Sequence, residues 1–134
     1  MYLFDTDIIS RVVKADPPKS LIERLSRTPR AVQFTTSINA GEIYYGACRI
    51  AHAEKIIRVF EESVLPCLTV LPFDTESAKR FGRLKASLEA RGRPRSEPDL
   101  RIAAIALQHR LTIVTGNVRH FSGIPGLAVE NWLE

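Results

Sequence analysis

Asp5, Glu42, Asp99 and Asn117 are far apart in the chain, yet each stands where a short apolar segment ends or a helical pattern begins. Asp5, with Asp7 close behind it, follows the apolar run Tyr2-Leu3-Phe4. Glu42 is expected in the first turn after Phe34-Thr35-Thr36-Ser37, and Asp99 opens the helical pattern that precedes Leu111-Thr112-Ile113-Val114. Thr115 and Asn117 follow that last run. Ligands of open α/β sheets bind beyond the carboxyl ends of the strands, so separate segments would deliver oxygen donors to one rim. Oxygen ligands with no Cys or His among them suit Mg²⁺, or Mn²⁺ in its place, better than zinc. Such an ion lowers the pKa of a bound water and stabilises charge on a phosphate under attack.

Each residue also has a plainer role. Ser96 and Asp99 have the spacing of a capping box, and Asn39 with Glu42 resembles another. Carboxylates in a first turn are favoured by the helix dipole, and Asp5 could start an Asx turn. The joint pattern is harder to assign to caps, because caps and turns need not share one edge of a sheet. Asp5 also ends an apolar strand, and Asp99 precedes the most apolar helical pattern in the chain. Carboxylates so close to a core repel one another unless a cation or a proton compensates.

The elements that would hold these residues read as strands alternating with helices. Ala31–Thr35, Leu68–Leu71, Leu111–Val114 and Leu127–Val129 join Tyr2–Phe4 as short apolar or β-branched runs bounded by Pro, Gly, Asp or Asn. Between them, Ile8-Ile9 with Val12-Val13 and Leu21-Ile22 with Leu25 have amphipathic helical spacing. Helical stripes also run from Ile43 to Ile50 and through Ile56, Phe60 and Val64. Asp74 is the expected N-cap of a helix through Ala78, Phe81, Lys85 and Leu88, with Gly92 as its stop. The pattern predicts one α/β domain over residues 1–134, three-layered, with a central, mainly parallel sheet of about five strands.

Composition narrows the class. The chain has 134 residues, 45% of them hydrophobic and 25% charged, with a formal net charge of +4. That is ordinary for a globular domain and suits a polyanionic partner without requiring one. No apolar run approaches the roughly 18 to 20 residues that span a bilayer. The first residues, Met1-Tyr2-Leu3-Phe4-Asp5, lack the basic lead and apolar stretch of a signal peptide. Cys48 and Cys67 cannot build a disulfide framework and are expected as reduced core thiols, which points to the cytoplasm.

At these residues the sequence resembles the PIN-domain family and, within it, the VapC toxins. The matching stretches are Met1–Ile9, Thr36–Gly46, Pro98–Ala104, Val114–Phe121 and Pro125–Trp132, in order along essentially the whole chain. The resemblance implies an endoribonuclease in which three or four acidic residues bind one or two Mg²⁺ or Mn²⁺ ions. It also implies a cognate VapB-like antitoxin and a homodimer. Carried over, the first three acidic residues are Asp5, Glu42 and Asp99. The fourth position, often Asp in the family, is Asn117, which removes one negative charge. Asp7 sits where Asn is common and is a candidate contributor, not a required ligand. Thr6 and Thr115 are candidates to orient ligands or phosphate, with local hydroxyl-to-backbone bonding as the alternative. Arg119 and His120 are placed to reach substrate, and Phe121 to anchor their segment. Of the basic residues Arg83, Lys85, Arg91, Arg93, Arg95 and Arg101, one or two are expected on RNA phosphate and the rest in a solvated face.

Three rival readings stand beside this one. Asp5-Thr6-Asp7 resembles the start of an aspartyl phosphotransfer enzyme, in which Asp5 would be a covalent nucleophile. A receiver-like module would need a phosphoacceptor after the third strand, where Asp74 reads as a cap, and a late Lys that the chain lacks. A PIN-like RNA- or protein-binding domain with a weakened site is compatible with Asn117.

Overall fold

Leu3 and Phe4 are neighbours, and neighbours in a strand point to opposite faces of a sheet. A strand apolar at both positions must therefore be covered on both sides. The computed structural model, which describes residues 1–134, shows that arrangement. Leu3 enters a cluster with Leu88, Leu100, Ile102, Ile105, Ile113 and Phe121 on one face. Phe4 enters another with Ile8, Ile9, Leu21, Phe60, Val114 and Trp132 on the opposite face. Ile113 and Val114 repeat the division one strand away.

The strands are β1 (Tyr2–Phe4), β2 (Gln33–Thr36), β3 (Thr69–Leu71), β4 (Thr112–Val114) and β5 (Val129–Glu130). They form one five-stranded sheet in the order β3-β2-β1-β4-β5, with every pairing parallel. The helices are α1 (Thr6–Val13), α2 (Lys19–Arg27), α3 (Ser37–Cys48), α4 (Ala53–Val59), α5 (Thr75–Ala90) and α6 (Glu97–His109). The expected three-layer α/β architecture is thus present. The order places β1 at the centre, and the sequence reverses direction across the sheet between β1 and β4. That reversal is where α/β sheets open a crevice at their carboxyl edge.

Several boundaries differ from the sequence reading. Ala31 and Val32 lie in a 3₁₀ turn over Arg30–Val32 that follows Pro29, so β2 starts at Gln33. Leu127 and Ala128 precede the short β5, because Gly126, with φ +79°, turns the chain just before them. The Ile56–Val64 stripe is not one regular helix: α4 widens into a π turn over Phe60–Val64 and then a 3₁₀ turn over Leu65–Cys67 containing Pro66. Asp74 caps α5, accepting from Ser77 N at 2.8 Å, and Gly92 with φ +69° follows the helix end. α6 carries buried residues around most of its circumference, from Leu100 through Ala106. Cys48 is exposed and Cys67 only half-buried, which corrects the expectation of two core thiols. The buried stripe of α3 is Asn39, Ile43 and Ala47, and Cys48 lies one position around from it. No helix is long and apolar enough to cross a membrane.

Candidate active site

Asp5 is the residue on which the carboxyl edge of the sheet converges. It ends β1 and starts α1, yet its side chain makes no capping bond to that helix. The carboxylate is turned inward, with 6% exposure for the residue. Asn39 Nδ2 donates to Asp5 Oδ1 at 3.0 Å, and Thr115 Oγ1 donates to Asp5 Oδ2 at 2.8 Å. Asn39 comes from the first turns of α3 and Thr115 from the end of β4, so three strand ends meet at one carboxyl group. Burial pushes the Asp5 pKa up to about 6, against the lowering effect of bonds from Thr6 and Thr115. The nearby charges of Asp7 and Asp99 raise it further.

The other acidic residues are held around this point by different contacts. Thr6 Oγ1 donates to Glu42 Oε1 at 2.7 Å, and Asn39 Nδ2 in turn donates to Thr6 Oγ1 at 3.0 Å. Glu42 is exposed and lies in the second turn of α3, not the first, because Thr36 is the N-cap and the helix starts at Ser37. Asp7 Oδ2 accepts from Gly116 N at 2.7 Å, and Asn117 Nδ2 approaches it more loosely at 3.5 Å. Asp99 sits in the first turn of α6 after the N-cap Ser96, whose Oγ accepts from Asp99 N at 3.3 Å. Its Oδ2 lies 3.3 Å from His120 Nδ1.

A PIN domain profile matches residues 2–127. The chain belongs to the PIN-domain family. It is 36% identical to the ribonuclease VapC2 of Haemophilus influenzae and 31% identical to the tRNA(fMet)-specific endonuclease VapC of Salmonella typhimurium. Each alignment covers 98% of this chain, with 98% and 97% of the respective relative. The fold superposes with a TM-score of 0.89 on a chain of the crystal structure of VapBC2 from Rickettsia felis bound to a promoter DNA fragment. That pair is 27% identical, with 98% of both chains covered.

In this PIN domain the residues read from the sequence fall into two groups. Asp5, Asp7, Thr6 and Thr115 are joined directly or through Asn39 by hydrogen bonds, and Asp99 is near enough to raise the Asp5 pKa. Glu42 is linked to the others through Thr6, and Asn117 through Asp7. As placed, no three Asp, Glu, His or Cys side chains close on a common point as a ready cage. Mg²⁺ dehydrates reluctantly, keeps several waters and takes only one or two carboxylates directly. The all-oxygen donor set and a buried carboxylate facing two like charges fit it, whereas a closed zinc site would need tighter convergence.

Asn39 is the site residue that sequence reasoning missed. Read as a helix cap, it lies inside α3 with no exposure, its own backbone N donating to the true cap, Thr36 Oγ1, at 3.1 Å. The available signal was its place on the stripe with Ile43 and Ala47, where a buried amide requires partners. Gly116 was also missed. A Cβ there would lie 2.7 Å from Asp7 Oδ2 and 2.6 Å from Leu133 Cδ1, so only glycine lets Asp7 reach the backbone N–H. Of the six basic residues, Arg83, Arg91 and Arg93 are exposed, and the other three make contacts within the fold. Arg101 and Lys85 contact Glu97, Arg101 also stacks over Phe73 and Phe81, and Arg95 donates to the carbonyls of Arg93, Pro94 and Ser122. Trp132 packs edge-on against Tyr2 and Phe4, and Tyr44 against Phe60. Phe121 is fully buried and anchors its segment. A recess of about 530 Å³ between α1, α2 and the turn after α4 is mainly apolar and lies apart from the carboxylates.

Proposed function

We propose that this PIN domain is a Mg²⁺-dependent endoribonuclease, the toxin of a toxin–antitoxin pair, cutting RNA phosphodiester bonds at the site built around Asp5. The observation that carries the reading is the buried Asp5 carboxylate, whose pKa burial and the charges of Asp7 and Asp99 hold near 6. A structural carboxylate would gain nothing from such an environment, whereas a cation ligand is relieved by the ion it binds. The relatives named as VapC ribonucleases support the substrate class.

Asp5, Glu42 and Asp99 would hold the ion, directly or through its waters, with Mn²⁺ as a substitute. When bound, the ion supplies an activated water and charge stabilisation on the phosphate. The chain's own residues supply the rest. Thr115 and Asn39 fix both oxygens of Asp5 by donating to them, so the carboxylate cannot rotate away. Thr6 orients Glu42 in the same way. Asp7 is committed to the backbone of Gly116 and acts by setting the β4 loop, which carries Asn117 and Arg119. Arg119 has no carboxylate partner and is free for phosphate. Asn117 accepts or donates hydrogen bonds near the cluster without adding charge.

The VapBC complexes among its structural neighbours support a VapB-like antitoxin as partner, and a homodimer in the cytoplasm is part of the same proposal. Membership of the PIN family sets aside the aspartyl phosphotransfer and receiver-like readings. One second reading keeps a specific observation: Asn117 in place of a fourth carboxylate favours a domain that binds RNA without cutting it. A single assay separates the two. Purified protein freed of antitoxin should cleave RNA in Mg²⁺, lose cleavage in EDTA, and lose it by at least about a hundredfold as Asp5→Asn. Equal cleavage by the variant would exclude this site, and RNA binding with no cleavage by wild type would establish the second reading.

A further inference from the structure

A polar recess of about 290 Å³ lies beside the carboxylates, and of its walls only Asn117 and Arg119 enter the chemistry described above. Its walls include the Gly116 backbone, Asn117, Arg119, His120, Asn131 and Glu134, with Val118 its only hydrophobic member. It shares two walls with the cluster: Gly116 N holds Asp7 at 2.7 Å, and His120 Nδ1 lies 3.3 Å from Asp99 Oδ2. Whatever fills it therefore sits next to the group being cut.

Asn131 is fixed within this wall. Its Oδ1 accepts from Leu133 N at 2.9 Å, which settles the orientation of the amide. Its Nδ2 donates to no protein group and is left as a donor of known direction. Asn117 adds an amide held loosely by Asp7 at 3.5 Å, and Arg119 adds a cation without a carboxylate partner. The lining is more polar than apolar, with Val118 its one hydrophobic side chain, which disfavours a purely aliphatic ligand. A planar heterocycle with hydrogen-bonding edges has donors and acceptors to meet, and the volume accommodates one such ring. Proteins read RNA sequence mainly through unpaired bases splayed from the strand, hydrogen-bonded at their edges and stacked on His or Arg.

We propose that this recess receives the unpaired nucleobase adjoining the scissile phosphate, and that Asn131 is a specificity-determining residue reading that base's edge. The inference rests on the nuclease reading given above. The Asx contact makes Asn131→Asp a sharp probe, because the carboxylate keeps an acceptor for Leu133 N while replacing the free donor with an acceptor. Asn131→Ala removes both.

The experiment uses single-stranded RNA oligonucleotides containing one site cut by the wild-type protein, with the flanking base varied among A, C, G and U. Wild type should spread its cleavage rates over about tenfold or more, the discrimination that a well-formed side-chain contact to a base edge supplies. Asn131→Ala should compress that spread to within about threefold, and Asn131→Asp should change the rank order toward bases presenting a donor. A residue that merely shaped the loop would slow all four oligonucleotides by one factor. Unchanged spread and order in both variants overturns the proposal. The same four oligonucleotides are bound to Asp5→Asn protein with and without Asn131→Asp, and their affinities compared by fluorescence anisotropy. Should wild type cut no RNA at all, the nuclease reading fails on the first assay. The base preference in binding, then read on homopolymeric A, C, G and U oligonucleotides, still decides the recess: a preference that Asn131→Asp alters supports it, and none overturns it.

Discussion

Asp5 shows how a single carboxyl group can work against the stability of its own fold. In the unfolded chain it ionises near 3.8, and in the folded chain near 6, chiefly because it is buried. A carboxyl whose folded pKa is raised contributes stability that is fully present below the unfolded value and is lost as pH rises through the folded one. The window is therefore about pH 4 to 6, and about 3 kcal/mol is at stake, two pKa units at about 1.4 kcal/mol each. Asp5→Asn removes the charge while keeping the shape. Urea denaturation in EDTA should show the variant gaining on wild type as pH rises across that window, with a constant advantage above pH 7. Added Mg²⁺ should narrow the gap, since only wild type gains a ligand for the ion. A difference independent of pH would mean that the carboxyl is not the strained group. Gly116 tests the neighbouring contact. Gly116→Ala should displace Asp7 and Leu133, cutting activity by about tenfold or more while the sheet stays folded by circular dichroism. Unaltered activity would show that the bond from Gly116 N to Asp7 is dispensable.

Among the elements, α3 carries the least obvious part of the design. Thr36 ends β2, caps the helix and also donates its hydroxyl to Asn39 Oδ1 at 2.6 Å. The side-chain carbonyl of Asn39 is thereby occupied, so its Nδ2 must face Asp5 and Thr6. Asn39→Ala would leave Asp5 Oδ1 buried without its donor, at a cost of about 1 to 3 kcal/mol. It would also free Asp5 and Thr6 to rotate. The expected result is a loss of both thermal stability and kcat, read by calorimetry and by cleavage at saturating RNA. Loss of stability with kcat intact would confine Asn39 to the fold. This contact also marks where the sequence stopped being legible. Asp5 and Asp99 stood out because the ends of apolar runs are visible in one dimension. So did α6, whose buried residues surround the helix. Asn39 depends on the register of α3, which Thr36 sets by capping the helix, whereas the spacing of Asn39 and Glu42 suggested a cap at Asn39 itself. Thr36 as the cap also places Glu42 one turn deeper into the helix than its spacing suggested.

At the scale of the molecule, β1 and β4 form a thin partition with a hydrophobic cluster on either side. Leu3 and Phe4, and likewise Ile113 and Val114, are consecutive residues serving opposite clusters, so neither cluster can open without disturbing a strand that the other needs. We therefore propose that residues 1–134 unfold as one domain. Ile113 provides the test. It is fully buried among the helices α5 and α6, whereas Trp132 packs against Tyr2 and Phe4 on the other face. Ile113→Ala should cost about 2 to 5 kcal/mol through lost burial and the cavity left behind. If the sheet couples its two faces, Trp132 fluorescence and far-ultraviolet circular dichroism will report one urea transition, and the substitution will lower both midpoints equally. A Trp132 transition that stayed in place while the helical signal moved would divide the molecule at its sheet. The carboxylate site would then belong to two independently stable halves. Coincident movement makes the opposite case: the side chains that hold Asp5 come from β1, α3 and the end of β4, and are kept in register by a core that melts only as a whole.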